Sequence, residues 1–328
     1  MSKIAVIGGG SFGTIVANII ALNNHDVQFW MRSDELVDEL NSRHENIHYL
    51  PGYIISERVV ATENMKEAVA DASIIFVAVP SSSFREVVRQ VVVHAPAESM
   101  LISTTKGIEA GSFKLMSQIL TEEAPLARIG VLSGPNLAKE IAKKHPTGTV
   151  IASNYEEVRE TVQRILCSDS FKVYTNDDMF GVELGGSLKN IYAIIAGLSA
   201  ASGMGHNTNS MLVTRGLTEM ARFGRELGAD PMTFLGLAGV GDLVVTCSSP
   251  LSRNYRIGQI LGTGKSIKEA VKEVGQVAEG VNTVKLVKEK SDELGVDMPL
   301  VTGLYLSLIH ISEPTRPERI SYAVFCLK

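Results

Sequence analysis

One cation stands in the middle of an apolar stretch, and its chemistry is proton transfer. Lys189 lies in VELGGSLKNIYAIIAG (182–197), among Leu184, Leu188, Ile191, Ile194 and Ile195, with Gly185, Gly186, Ala193 and Ala196 between them. At helical period this segment is apolar or small nearly all the way round, the pattern of a buried helix. A helical side chain leans back over the preceding turn. The residues three and four before Lys189 are both glycine, so an uncompensated amine over an open slot for a small molecule is expected. Taken alone, the segment fits equally well a lysine snorkelling from a helix end.

A second constellation binds anions. Gly8-Gly9-Gly10-Ser11-Phe12-Gly13 matches G-x-G-x-x-G, after the strand-like KIAVI (3–7) and before the helix-like TIVANIIAL (14–22). In that order, Gly8 serves the tight turn, Gly10 lets backbone approach a pyrophosphate, and Gly13 lets the helix pack on the strand. The helix N-terminus then faces the anion. The next strand-like run, DVQFWM (26–31), ends at Arg32, with Asp34 just beyond. A guanidinium suits a 2′-phosphate, which favours NADPH, while an acid near that tip keeps NADH open.

Further candidates lie downstream. Lys106 precedes a glycine at a strand tip, a position open both to a ligand role and to a solvated loop lysine. Asn136 reads as the N-cap of LAKEIAKK (137–144). Asp242 is an acid in a glycine-rich apolar run, so a partner for it is expected. Ser252-Arg253-Asn254 opens the helix-like YRIGQIL (255–261), where free N–H groups beside an arginine make a phosphate site. Two look-alikes are set aside. His44-Glu45-Asn46-Ile47-His48 matches H-E-x-x-H, but Pro51-Gly52 follows at once and no third ligand is signalled, so no metal is expected. Gly262-Thr-Gly-Lys-Ser266 resembles a P-loop but follows a helix, and reads as a turn capped at Ser266.

The elements that must position these residues change character along the chain. Strand-like runs at 73–79, 100–104, 129–132 and 148–152 alternate with helical stretches, implying a mostly parallel sheet covered on both faces. From Asn176 helical stretches dominate. The expected fold is α/β: a dinucleotide-binding Rossmann-like domain at 1–178, then an all-helical substrate domain at 179–306. With 328 residues, 45% hydrophobic and 20% charged, two domains with sizeable cores are available. A net charge of −5 argues against a general nucleic-acid binder. Three scattered cysteines suggest neither a disulfide framework nor zinc, which fits a reducing cytosol. No run approaches a membrane span, and a first strand at Lys3 leaves no room for a signal peptide. A cytoplasmic protein is expected.

The chain resembles the bacterial-type NAD(P)-dependent glycerol-3-phosphate dehydrogenase family from Lys3 to about Tyr305. The resemblance rests on GGGSFGT, HENIHYLPG, SGPNLAKE, VELGGSLKNIYAI, GLAGVGDLVVTCSSPLSRN, VAEGVNT and MPLV. It implies hydride transfer between NAD(P)H and the C2 carbonyl of dihydroxyacetone phosphate, with Lys189 as the proton-transfer residue. Ser11, Phe12, Arg32, Ala138, Val277 and Glu279 match cofactor positions. Lys106 matches a residue touching cofactor and substrate. Gly134, Asn136, Asp242, Ser252, Arg253 and Asn254 match substrate positions, with Arg253 also near the cofactor. Asn136 stands where many members carry a hydroxyl. A homodimer and a place in phospholipid precursor synthesis are implied as well. A related 3-hydroxyacid-type dehydrogenase, or a dinucleotide-binding sensor without turnover, are the rivals; the first leaves the 252–254 site spare, and the second has no use for a buried lysine. From Ser307 the chain departs from the family. SLIHISEPTRPERISYAVFCLK lacks sustained helical period and is broken by Pro314 and Pro317, so it reads as a non-native tail.

Overall fold

The computed structural model describes residues 3–275 and 279–312. It forms two compact units, Met1–Glu109 with Lys114–Glu183, and Ala110–Phe113 with Leu184–Lys328.

The first unit is built on one eight-stranded sheet. Its strands are β1 (Lys3–Ile7), β2 (Val27–Trp30), β3 (Val59–Thr62), β4 (Ala72–Val77), β5 (Met100–Ser103), β6 (Arg128–Ser133), β7 (Thr147–Ala152) and β8 (Phe171–Asn176). They lie in the order β3-β2-β1-β4-β5-β6-β7-β8. Neighbours are parallel except β6 and β7, which pair antiparallel. Side chains alternate between the two faces of a strand, and both faces here are covered. Ile4 and Val6 join Phe29 and Phe76 in one core, under α1 (Ser11–Leu22), α2 (Asp34–Arg43), α6 (Ala138–Ala142) and α7 (Glu156–Leu166). Ala5 and Ile7 join Ile75 and Val77 in the other, under α3 (Met65–Val69), α4 (Ser81–His94) and α5 (Met116–Glu123). Strands apolar on both faces read as continuous runs such as KIAVI. The strand order reverses between β1 and β4, the crevice where doubly wound sheets take their ligands.

Two strands escape sequence reading. VVAT of β3 is only four residues long, and β8 alternates buried Phe171 and Val173 with exposed Lys172 and Tyr174, the pattern of an edge strand covered on one side.

The second unit is helical: α8 (Met179–Ala201) from Leu184 on, α9 (His206–Glu226), α10 (Asp242–Ser248), α11 (Arg253–Gly262), α12 (Ile267–Val274), α13 (Glu279–Leu294) and α14 (Pro299–Ser312). A 3₁₀ turn (Pro231–Leu235) and a π-helical turn (Leu237–Gly241) lead into α10. The P-loop look-alike is a capped helix start: Ser266 and Glu269 exchange side-chain and backbone hydrogen bonds. Helix α14 passes Ser307, where the non-native tail was expected to begin, and continues to Ser312, with Leu308 buried at helical spacing. No described helix is long and apolar enough to cross a membrane.

Candidate active site

In the first unit the glycine turn follows β1 and opens α1. Gly8 has φ +119°, and a Cβ there would lie 2.4 Å from the Ala78 carbonyl oxygen, so only glycine fits. A Cβ on Gly13 would lie 2.0 Å from Gly8 O, which is the close helix–strand contact expected of it. Gly10 differs from both: a Cβ there would meet no heavy atom within 4 Å. Its backbone thus borders open space at a helix N-terminus that no side chain caps, and this fits a pyrophosphate approaching the amides.

Asn46, buried and unnoticed in the sequence, holds this turn in place. Its amide nitrogen donates to Gly9 O at 2.9 Å and Thr14 Oγ1 at 2.8 Å, and its oxygen accepts from Tyr49 N at 3.1 Å. Ser11 Oγ donates to Tyr49 O at 2.8 Å. The H-E-x-x-H look-alike supplies this brace. Helix α2 ends at Arg43, and His44 is left-handed with φ +51°, so the helix a zinc site needs is absent there. No local signal singles out Asn46 in HENIHYLPG, a stretch with four polar residues and no helical or strand period.

Of the other cofactor positions, Arg32 is exposed beyond β2, while Asp34 opens α2 as one of two acids in its first turn. Phe12 and Ala138 are partly buried against the core. At the carboxyl ends of β5 and β6, Lys106 Nζ donates to Gly134 O at 2.8 Å. Asn136 is not the N-cap: Leu137 holds that position, and the Asn136 amide turns instead to Thr149, donating to its Oγ1 at 2.9 Å. The Thr149 hydroxyl in turn donates to Ser133 O, so β7 competes successfully for the side chain.

In the second unit Lys189 is 7% exposed and meets Asp242, which is wholly buried. Its ammonium donates to Asp242 Oδ1 and, at 2.7 Å, to Thr246 Oγ1. The Thr246 hydroxyl donates back to Asp242 O at 2.6 Å, one turn earlier on α10, leaving its lone pairs for the lysine. Two expectations are corrected here. The amine is compensated, by an acid 53 residues away. The slot expected over Gly185 is filled by the chain itself, since a Cβ there would lie 2.9 Å from Ala238 O. Thr246 was missed in the sequence; its only signal is the four-residue spacing from Asp242. Beside this cluster burial pushes the Cys247 thiol up to about 12, although Lys189 opposes the shift, so Cys247 stays protonated.

Helix α11 opens next to this cluster in chain order. Ser252 caps it, its Oγ accepting from Tyr255 N at 3.3 Å. Asn254 Oδ1 accepts from Gly280 N at 3.2 Å, which ties the start of α11 to the start of α13. Arg253 is exposed at its surface, yet its surroundings desolvate it and pull its pKa below the ordinary value, against the charge of Glu279 at the head of α13. The helix itself crosses α8 at contact distance: a Cβ on Gly197 would lie 2.0 Å from Tyr255 O, and one on Gly258 2.0 Å from Ile194 O. Val277 lies outside the described residues. Among the described residues no group of three His, Cys, Asp or Glu side chains is placed to hold a metal.

Comparison with known proteins gives these two sites a common context. Residues 3–159 match the family described as NAD-dependent glycerol-3-phosphate dehydrogenase N-terminus, and 178–316 match its C-terminus. The chain is 54% identical to the glycerol-3-phosphate dehydrogenase [NAD(P)+] of Teredinibacter turnerae over 303 residues, 92% of this chain and 89% of the relative. It is 56% identical to the enzyme of that name from Pseudomonas aeruginosa over 307 residues, 93% and 89% of the two chains. A crystal structure of glycerol-3-phosphate dehydrogenase from Coxiella burnetii superposes with a TM-score of 0.92 at 36% identity, covering 98% of this chain and 97% of that one.

Proposed function

The chain belongs to the NAD-dependent glycerol-3-phosphate dehydrogenase family, and we propose on that footing which of its residues carry the reaction. It is an oxidoreductase that interconverts sn-glycerol 3-phosphate and dihydroxyacetone phosphate. When bound, NAD(P)H supplies the hydride to C2 of the ketone. The residues of this chain bind, orient and move the proton.

Residues 1–178 hold the dinucleotide and residues 179–306 the substrate. Gly8, Gly10 and Gly13 shape the turn that receives the pyrophosphate; Ser11, Phe12, Ala138, Val277 and Glu279 join the cofactor set, with Lys106 and Arg253 serving cofactor and substrate alike. Arg32 reads the 2′-phosphate, so NADPH is preferred. Asp34 is engaged as a first-turn acid of α2, where it complements the helix dipole, and this leaves the exposed guanidinium as the cofactor-selecting group. Lys106, Gly134 and Asn136 touch the substrate at the sheet edge. The α11 N-terminus and Arg253, with Ser252 and Asn254, take the phosphate.

The buried Lys189–Asp242–Thr246 cluster is the observation that carries this reading. An ammonium fixed by a carboxylate and a hydroxyl donates its proton to the C2 oxygen as charge develops there, and in the reverse direction the amine takes the proton back. The product enters phospholipid precursor synthesis, and the enzyme works in the cytoplasm as a homodimer. A 340 nm rate survey tests the proposal: dihydroxyacetone phosphate is paired with NADPH or NADH, and glycerol 3-phosphate and a panel of 3-hydroxyacids with NADP+ or NAD+. Turnover of dihydroxyacetone phosphate and glycerol 3-phosphate is expected, with the NADP(H) pair ahead; hydroxyacid turnover overturns the substrate, and a clear NAD(H) preference overturns the role of Arg32.

A further inference from the structure

Four features of the second unit stand in one register. On α8, Gly185 precedes Lys189 by one turn. Across the π-helical turn and into α10, Ala238 precedes Asp242 by the same four residues. The glycine meets the Ala238 backbone and the lysine meets the Asp242 carboxylate, so two segments run side by side and touch at both ends of one turn.

The first contact leaves no room for adjustment. A Cβ on Gly185 would lie 2.9 Å from Ala238 O, 3.6 Å from Ala238 C and 3.7 Å from Gly239 Cα. The π turn is equally confined on its other side, because a Cβ on Gly239 would lie 2.0 Å from Phe234 O in the preceding 3₁₀ turn. Its widened loop closes through Gly241 N donating to Gly236 O at 3.3 Å. Single π turns of this kind recur at functional sites, and this one ends at the acid that holds the lysine.

We propose that Gly185 is a positioning residue for proton transfer: by lacking a side chain it seats the Ala238 carbonyl against α8, and that contact sets how Asp242 meets Lys189 one turn on. This rests on the reading of Lys189 as the proton-transfer residue. Backbone is the stop, so even one methyl group must displace the π turn, and the displacement passes along a confined segment to Asp242.

The test is a double-mutant cycle in steady-state kinetics on the full chain, with dinucleotide affinity and Tm measured on every variant. Gly185→Ala is expected to lower kcat by about tenfold to a hundredfold, the scale of a small misplacement of a reacting group, with NADPH affinity unchanged. Added to Asp242→Asn it should cost little more, because both act through one pair of groups. A purely structural glycine gives losses that add; additive losses, or a near-normal Gly185→Ala, overturn the proposal. If Gly185→Ala does not accumulate as folded protein, Asp242→Glu reads the same spacing. It should be as slow as Asp242→Asn, whereas kcat within about threefold of the unsubstituted enzyme shows the spacing to be slack and overturns the proposal. Lys189→Ala assayed in parallel separates the two ideas: if it turns over normally the proton-transfer reading fails, and if it alone is slow only the role of Gly185 fails.

Discussion

Glycine does different work in the two units. In the glycine turn, Gly8 is required by its own backbone angle, and Gly10 borders open space. Along α8, Gly185 and Gly197 have helical backbone that any residue adopts; they are required because another segment's carbonyl stands where a side chain would begin. A turn that cups an anion is a local object, written in six consecutive residues. A helix that must be approached closely from two sides is a tertiary object, and its glycines resemble the poor helix formers they intrinsically are.

The sharpest way to break this contrast is to disable one unit's chemistry and leave the other's binding intact. Lys189→Ala should lower kcat by about 10²–10⁴-fold while titration with NADPH gives the affinity of the unsubstituted enzyme. Its Tm should also fall, since the buried Asp242 carboxylate loses its ammonium, and Asp242→Asn in the same chain should recover Tm without recovering turnover. A matched fall in NADPH affinity would show that the two sites are not separable in this way.

Within the turn, two substitutions sharpen the distinction between backbone need and ligand room. Gly8→Ala should cost about 1–3 kcal/mol of stability from the positive φ alone, with the Ala78 clash adding to it, and is read by denaturant unfolding. Gly10→Ala should leave Tm nearly unchanged and weaken NADPH binding about tenfold or more, which is ~1.4 kcal/mol. Unchanged affinity in Gly10→Ala would mean that the open space beside it is not where the pyrophosphate lies.

An effect graded by pH concerns two buried carboxyls that each close a helix N-terminus. Glu183 accepts from Ser117 N and Oγ at the start of α5, and Glu219 accepts from Leu300 N at the start of α14 and from the Tyr192 hydroxyl. Burial raises each from its ordinary value of 4.5 to about 7, against those donors. A raised folded-state pKa makes the contribution complete below pH 4.5 and lost as pH rises to about 7, where the unfolded chain has released a proton that the folded chain retains. Stability should therefore decline across that window, by at most about 1.4 kcal/mol per pH unit for each group. Glu219→Gln should flatten the decline measured by urea unfolding at pH 5, 6 and 7; an unchanged slope would mean that Glu219 does not titrate there.

Much of this was legible in advance for a stated reason. KIAVI, the glycine turn and the helix-like run after it lie next to one another, so residue pattern and turn chemistry locate them together. β8 was hidden because only one of its faces meets the core, and Asn136 was misread because its cap position lost to a threonine on β7. Asn46 gives no local sign of bracing Gly9, since its partners lie 32 and 37 residues away.

The sequence by itself determined that a mostly parallel sheet precedes a helical unit, that a glycine turn opens the first, and that one lysine stands in an apolar helix of the second, because these follow from patterns that are local in the chain. Only the tertiary structure decided what that lysine meets. A buried ammonium must find an anion, and nothing in the residues around Lys189 says that the anion is Asp242, that Thr246 shares it, or that Gly185 makes way for the turn that brings them there. Those pairings depend on how close two distant backbones come, and sequence spacing carries no measure of that distance.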